Sequence, residues 1–217
     1  MTSPGFTSPH FTREFAEQLD NLFTWRRDVR HFQRQPLPDG MVDLLLDRAC
    51  LAPSVGNSQP WRFVRVLSPE RRAAIIAHVD NENARAAKLY QDKERAYYDA
   101  LKLHGLVEAP EHIAVFCDTQ PEEGGGLGRQ TMPETLAYSA VLAIHTLWLA
   151  AQARGIGMGW VSILEPGDIA PMLDVSPNWC FIGYLCVGYP AEQHDVPELE
   201  RRGWQARVAP QQTRFTR

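Results

Sequence analysis

The longest apolar stretch of this 217-residue chain, residues 136–151, is the feature that most constrains its fold. Its 16 residues fall short of the roughly 20 that cross a bilayer, so no membrane partner is expected. Thr131 and Glu134 form a capping-box pattern that predicts a helix over residues 133–153, ending at Gly155. Because this helix is apolar on nearly every side, we predict that it is buried at the centre of the protein.

The rest of the chain alternates strand-like apolar runs with longer helical patterns. Strands are predicted at 60–67, 113–118 and 179–187, and a glycine-rich run at 155–162 leads into a fourth. Helices are predicted at 12–25, 37–51 and 166–173, and another begins at Pro69 after a Ser68 cap. No repeat or linker divides the chain. We therefore predict a single domain over 1–217, an α+β or α/β sandwich with four or five strands.

Two segments fit this core less well. Residues 81–108 have a helical pattern but are highly charged and rich in tyrosine. They are therefore either a solvated helix pair or a mobile helical lid over a site. From about residue 190 a polar C-terminal extension follows, which is long enough for a partner contact and ends in an arginine-rich stretch.

Composition excludes several classes of function. The chain has 22 Lys and Arg against 26 Asp and Glu, a net charge of -4, and no basic stripe, which argues against nucleic-acid binding. Residues 1–10 lack the basic and apolar regions of a secretory leader, so a cytoplasmic location is expected. The four cysteines form no C-x-x-C pair and lie among apolar residues. They are predicted to be reduced core thiols, and no metal site is expected.

An arginine cluster at residues 26–30 is the first candidate binding motif. Arg26, Arg27 and Arg30 lie within five residues of one another, directly after a predicted helix. The planar guanidinium fork is the preferred protein partner of phosphate, so the cluster indicates an anion site. The alternative is a solvated basic turn in which Asp28 is the counter-ion.

A second motif follows the next predicted helix, in the loop at residues 52–61. This loop is dense in small and amide side chains and leads at once into a strand. Ser58 and Gln59 offer hydrogen bonds to a planar polar ligand, more than a purely structural turn requires.

Together these motifs resemble the nitroreductase-like flavoprotein family. The matching runs are R-R-D-V-R-H-F at 26–32, A-P-S-V-G-N-S-Q-P-W-R-F at 52–63, G-I-G-M-G-W-V-S at 155–162 and the G-Y-P that ends the last strand. The resemblance extends from about Phe23 to Gly203. Most members have serine where this chain has Asp28, and the aspartate is typical of the branch that forms 5,6-dimethylbenzimidazole.

The resemblance implies an α+β sandwich with a mainly antiparallel central sheet flanked by helices. It also implies an intertwined homodimer with FMN between the two chains. In this branch reduced FMN is a substrate, and molecular oxygen fragments it to 5,6-dimethylbenzimidazole, the lower ligand of vitamin B12, and erythrose 4-phosphate. NAD(P)H acts only indirectly, through a separate flavin reductase. The implied flavin-binding residues are Arg26, Arg27, Asp28, Val29, Arg30, Ser54, Asn57, Ser58, Gln59, Trp160, Val161, Ser162 and Arg201.

The resemblance implicates Asp28 and Ser162 in catalysis. Fragmenting a flavin requires removing a proton from a ribityl carbon and moving protons after oxygen reacts, and a carboxylate and a hydroxyl suit these tasks. Because three arginines neighbour Asp28, we expect its carboxyl to stay ionised. The structural alternatives are an Asp28 that only braces the arginines and a Ser162 that only bonds the backbone.

Three other functions remain open at this point. The first is an NAD(P)H-dependent FMN nitroreductase, against which Asp28 argues. The second is a dehalogenase-like flavoenzyme whose lid grips an amino-acid zwitterion, for which Tyr90, Lys93, Tyr97 and Tyr98 leave room. The third is a flavin-binding protein without catalysis, with the C-terminal extension as its partner contact.

Overall fold

Four strands form one antiparallel sheet in the order β1-β2-β4-β3. They are β1 (Trp61–Arg65), β2 (Glu111–Asp118), β3 (Gly157–Val161) and β4 (Trp179–Gly188). The computed structural model describes residues 9–217. Most of residues 1–10, where the sequence predicts no secretory leader, therefore lies outside the described residues. The predicted strands are confirmed, and β1 and β3 lie at opposite edges of the sheet.

Seven α-helices surround the sheet in the described part of the chain. They are α1 (Arg13–Trp25), α2 (Met41–Ala49), α3 (Pro69–Ala87), α4 (Asp92–Asp99), α5 (Thr135–Gln152), α6 (Pro166–Leu173) and α7 (Glu198–Arg201). The predicted start of α3 is confirmed, because the Ser68 hydroxyl accepts the Arg71 N–H. The predicted helix pattern after Pro69 breaks at Lys88, which separates α3 from α4.

Successive side chains of the central strands point to opposite faces of the sheet, and each face is covered by its own hydrophobic core. On β2, Ile113 and Val115 pack with α2 and α5, whereas Ala114 and Phe116 pack with α3 and α6. This period of two places helices on both faces of β2 and β4. The result is a three-layer sandwich whose exposed sheet edges are left to β1 and β3.

Two predictions about α5 are wrong. The helix begins at Thr135, and the Thr131 hydroxyl donates to the Gly128 carbonyl at 3.3 Å instead of capping it. The N-cap is Glu134, whose side chain makes no capping hydrogen bond, so the predicted pair of reciprocal bonds is not formed. The helix is also not buried on every side, because Tyr138, Val141 and Leu142 are 41–53% exposed.

Like the exposed stripe of α5, helix α1 leaves apolar side chains accessible to solvent in one chain. No residue of α1 is buried, although its spacing is amphipathic. Among the described helices, α5 is long and apolar enough to cross a membrane, with a mean hydropathy of 1.2. Its inner face packs on the sheet, as the core helix of a folded domain does.

The cysteine prediction holds for half of the set. Cys117 and Cys186 are buried in the sheet, while Cys50 and Cys180 are exposed, and all four are free. Cys50 follows the last turn of α2 and Cys180 lies near the start of β4, where the apolar sequence context reaches the surface.

Candidate active site

Residues 26–30 lie along the free edge of β3 as a short parallel extension of the sheet. The Val29 N–H donates to the Met158 carbonyl at 3.0 Å, and Asp28 pairs with Met158 as a parallel bridge. Gly159 permits this approach, because a Cβ there would overlap the Val29 carbonyl oxygen. The glycines of the G-x-G-W motif therefore serve close backbone packing.

The pairing of residues 26–30 with β3 places the Asp28 carboxylate between the Trp160 backbone and the Arg30 side chain. Its Oδ1 accepts the Trp160 N–H at 2.8 Å, and its Oδ2 accepts the Arg30 Nε–H at 3.1 Å. The side chain is 33% exposed, so one side of the carboxylate remains reachable. The carboxylate is fixed from two directions and stays open to a ligand in the adjoining cleft.

The pKa of the Asp28 carboxyl is set by opposing effects, and the expectation that this group stays ionised remains a prediction. Burial raises the pKa of its carboxyl, and the Trp160 N–H, Arg30 and Arg26 oppose that rise only in part. Arg27, a neighbour in sequence, points elsewhere. A carboxyl with a raised pKa is suited to taking up and returning a proton.

Arg27 and Arg30 have satisfied guanidinium groups. Arg27 donates to the backbone carbonyls of Thr24, Arg26, His194 and Asp195, and so ties the start of the segment to the C-terminal extension. Arg30 bonds Asp28 and the Lys102 carbonyl. Among the three predicted arginines, only Arg26 makes no side-chain hydrogen bond within the described residues.

The Arg26 guanidinium is held in position by Trp148 of α5. It lies 4.9 Å from the centroid of the Trp148 ring, and the Trp148 indole N–H donates to the Arg27 carbonyl at 3.1 Å. This stacking holds the cation with its polar edge free for another partner. Trp148 was not predicted as a site residue, because on the sequence it is one more apolar residue of α5.

Arg207 is a second site residue that is absent from the predicted set, because nothing in the sequence distinguishes it from the other arginines of the C-terminal stretch. Arg207 lines a cavity of about 140 Å³ with Arg26, Arg27 and Arg30. Burial lowers the pKa of both Arg26 and Arg27. The Asp28 carboxylate opposes this at Arg26, and the positive charge of Arg207 lowers the pKa of both groups. Asp28 and Glu198 also line this cavity, but the four guanidinium groups outnumber the two carboxylates, which favours an anion between them.

The same cleft continues along the C-terminal extension. Arg201, a predicted flavin-binding residue, lines it and lies 3.6 Å from Glu192. His31 lines it as well, with its Nε2 3.2 Å from a carboxylate oxygen of Glu198. The extension is thus one wall of the cleft and residues 26–31 are another.

The remaining predicted residues of this edge differ in exposure. Ser162 is exposed and follows the last residue of β3, two residues beyond the Trp160 N–H that holds Asp28. The Val161 side chain is buried in the core, and Val29 packs against the same core. The structure thus brings together residues 26–30, Trp160 and Arg201, and leaves Ser162 at their margin.

The second predicted group, Ser54, Asn57, Ser58 and Gln59, lies elsewhere. It precedes β1, at the sheet edge opposite β3. Three strand spacings separate the two edges, about 14 Å. Asn57 and Gln59 have left-handed backbones, with φ of 55° and 46°. The Ser58 hydroxyl is buried without a hydrogen-bond partner among the described residues, and its role in flavin binding stays a prediction.

Comparison with known proteins identifies the family of this fold. The sequence profile of the nitroreductase family matches residues 23–189. The chain belongs to the nitroreductase family. A 5,6-dimethylbenzimidazole synthase of Rhodospirillum rubrum is 55% identical over 201 residues, covering 93% of this chain and 95% of its own length. A 5,6-dimethylbenzimidazole synthase of Rhodobacter capsulatus is 43% identical, covering 90% of this chain and 95% of its own length.

A solved structure shares the fold. Iodotyrosine deiodinase, crystallised with FMN and 3-iodo-L-tyrosine, superposes with a TM-score of 0.69 at 23% identity, covering 81% of this chain and 91% of its own. The predicted nitroreductase-like α+β sandwich is confirmed for this nitroreductase-family protein. Among its described residues, no group of three or more His, Cys, Asp or Glu side chains forms a metal site.

Proposed function

We propose that this protein catalyses the oxygen-dependent fragmentation of reduced FMN to 5,6-dimethylbenzimidazole and erythrose 4-phosphate. The observation that carries the proposal is the Asp28 carboxylate, fixed by Trp160 and Arg30 beside an arginine-lined cleft. Most nitroreductase-like sequences have serine at this position. The two synthase relatives, 55% and 43% identical over nearly the full chain, support the same reaction.

The residues present fit the phosphate of FMN. Arg26 and Arg207 converge on the 140 Å³ cavity, and their mutual repulsion is relieved by a bound phosphate. Arg201 lines the adjoining cleft and would contact the rest of the ligand. The cavity is nevertheless smaller than the roughly 300–1,000 Å³ typical of small-molecule sites, so one chain supplies only part of the binding site.

A homodimer would complete the site. The loop at 54–59 offers polar groups suited to a flavin ring, but in one chain it lies at the opposite edge of the sheet. The exposed apolar stripe of α5 and the unburied α1 provide a surface for a second copy. A two-fold dimer would place the loop of each chain against the arginines of its partner.

The residues of the cleft divide the chemistry between them. When bound, reduced FMN supplies the electrons that reduce oxygen and the ring atoms of the benzimidazole. Asp28, with its raised pKa, takes a proton from the ribityl chain. The Ser162 hydroxyl, exposed at the end of β3, donates to and accepts from the reacting ring.

Residues 81–108 are proposed to close over this site as a lid. Tyr90 and Tyr98 stack at 4.7 Å, and Trp204 of the C-terminal extension packs edge-on against both. The lid is therefore held by the same extension that carries Arg201 and Arg207. Its closure would exclude water and retain reactive oxygen products.

The proposal includes a separate flavin reductase, which consumes NAD(P)H and delivers reduced FMN. It also places the protein in the cytoplasm. Its four cysteines are free, which suits a reducing compartment.

The decisive experiment mixes the purified protein, FMN and a chemical reductant under air. We expect the flavin absorbance to disappear and 5,6-dimethylbenzimidazole to accumulate by mass spectrometry. Boiled protein is the control for chemical bleaching. A flavin band that returns undiminished after reoxidation would refute the proposal. Rapid NADPH oxidation with a nitroaromatic substrate would favour the nitroreductase activity, and reductive loss of iodide from iodotyrosine would favour a dehalogenase.

A further inference from the structure

Arg30 bridges the candidate catalytic carboxylate and the lid. Its Nε donates to Asp28 Oδ2 at 3.1 Å, while its Nη1 donates to the Lys102 carbonyl at 3.3 Å. Its side chain is only 12% exposed. The planar guanidinium can make both donations at once, which an ammonium on a flexible stem cannot do with the same geometry.

The end of the lid is seated on the segment that carries Arg30. A Cβ at Gly105 would overlap the Phe32 ring and lie 3.0 Å from the Arg30 carbonyl oxygen. Phe32 is itself buried in the core. Gly105 therefore fixes how closely residues 102–105 approach Arg30, and Asp28, Arg30, Leu103 and Gly105 enclose a space that leaves no room for water.

From this geometry we infer that Arg30 is a positioning residue, which orients the Asp28 carboxylate because residues 102–105 hold its guanidinium in place. With the Lys102 carbonyl in place, Arg30 is held from its far side and its Nε is aimed at Oδ2. Without the Lys102 carbonyl, Arg30 would lose that support, and the Asp28 carboxylate would lose one of its two fixed hydrogen bonds. This inference rests on the proposed function, because it assigns Arg30 to the chemistry of Asp28 and not to phosphate binding.

The test substitutes Arg30→Lys, with Arg34→Lys as the matched control, since Arg34 is an exposed arginine of the same segment. We expect Arg30→Lys to lower kcat for benzimidazole formation about 100-fold, the order expected for a misplaced catalytic group. The dissociation constant for FMN should stay within a factor of about two. Arg34→Lys should match the wild type in both. A large loss of FMN affinity with an unchanged kcat would overturn the inference and assign Arg30 to phosphate binding.

Two further variants separate positioning from general damage. Adding Arg30→Lys to Asp28→Asn should cause no further loss of kcat, because Arg30 acts through Asp28. Gly105→Ala displaces the lid end but leaves Arg30 intact, and should lower kcat by a similar factor with FMN still bound. Additive losses in the double variant, or a Gly105→Ala protein with wild-type kcat, would contradict the inference.

Hydrogen exchange distinguishes failure of this inference from failure of the proposed function. In flavin-free protein, amides of residues 101–106 should exchange faster in Arg30→Lys than in wild type or Arg34→Lys. Equal exchange would overturn the inference whatever the wild type catalyses. If the wild type forms no benzimidazole, the proposed function fails, and the exchange comparison still decides whether Arg30 holds the lid.

Discussion

Residues that are adjacent in sequence have different roles at this site. The Arg27 guanidinium donates hydrogen bonds to four backbone carbonyls, whereas Arg30 binds the Asp28 carboxylate. Arg26 stacks on Trp148 and faces Arg207, which is 181 positions away in the chain. The chemistry of each arginine is therefore set by its contacts across the fold, and single substitutions can separate their functions.

Asp28→Asn and Ser162→Ala test the catalytic assignment. General acid–base groups contribute about 10²- to 10⁴-fold, so each variant should lose benzimidazole formation by a factor in that range. Both should still bind FMN, because Arg26 and Arg207 are intact. Product analysis and FMN titration of each variant provide the measurement. Wild-type product yield in Asp28→Asn would refute the catalytic role, and lost FMN binding would assign the residue to recognition.

His112 provides a residue-scale test of the core. It is 1% exposed on β2, with its Nδ1 3.1 Å from the Tyr184 hydroxyl. Burial, followed by the charge of Arg72, lowers the pKa of His112 from 6.5 to about 4. As the pH falls from 6.5 to 4, the unfolded chain binds a proton that the native protein does not. The free energy of unfolding then falls by about 3 kcal/mol from this group.

The measurement is urea unfolding of wild type and His112→Gln across that pH range. Carboxylates titrate in both proteins, so their effect cancels in the difference. We expect the wild type to lose about 3 kcal/mol more than the variant between pH 6.5 and pH 4. Parallel pH profiles would show that His112 is not the group responsible.

At the scale of elements, the edge of β3 determines the site. The glycines of β3 let residues 26–30 approach as an added strand, and the Trp160 N–H then meets the Asp28 carboxylate. Phe32 forms an antiparallel bridge with Pro190, just beyond the end of β4, and this bridge brings the start of the C-terminal extension to the same segment. Residues 28–33 thus contact β3 at one end and the start of the C-terminal extension at the other.

Gly159→Ala tests this arrangement. Its Cβ would overlap the Val29 carbonyl oxygen, a backbone atom that cannot move aside alone. We expect a loss of about 3 kcal/mol in the free energy of unfolding, at the upper end for an overpacked site, and weaker FMN binding. Gly167→Ala is the control, because a Cβ there meets only a Glu165 carboxylate oxygen at 4.0 Å. Equal stability of the two variants, measured by denaturant unfolding, would argue against the close approach.

At the scale of the whole molecule, the two predicted binding motifs lie on opposite edges of one sheet. The arginine cluster lies beside β3 and the 54–59 loop precedes β1. The antiparallel order β1-β2-β4-β3 keeps them apart in any single chain. In the proposed homodimer, a second copy bound to the exposed face of α5 would bring one of each motif together.

Leu142→Glu tests the dimer. Leu142 is 44% exposed in one chain, and a two-fold interface over α5 would bury two copies of the new charge. We expect a monomer in sedimentation at micromolar concentration, with FMN affinity lowered at least tenfold. Leu67→Glu, at a leucine 63% exposed between β1 and α3, should leave both unchanged. A monomeric wild type that binds FMN fully would disprove the shared site.

The sequence is enough to predict the strands, most of the helices, the family and the residues able to bind an anion or move a proton. Period-two and helical spacing are local properties, so the strands, the α3 cap and the α+β class followed from it. Asp28 can be singled out in the sequence because it replaces the serine that is usual in the arginine motif of the family. The tertiary structure decided which arginine faces which partner, the direction of the Asp28 pKa shift, and the exposure of the α5 stripe. These depend on burial and on charge interactions between residues distant in sequence, such as Arg26 and Arg207, which no local pattern encodes.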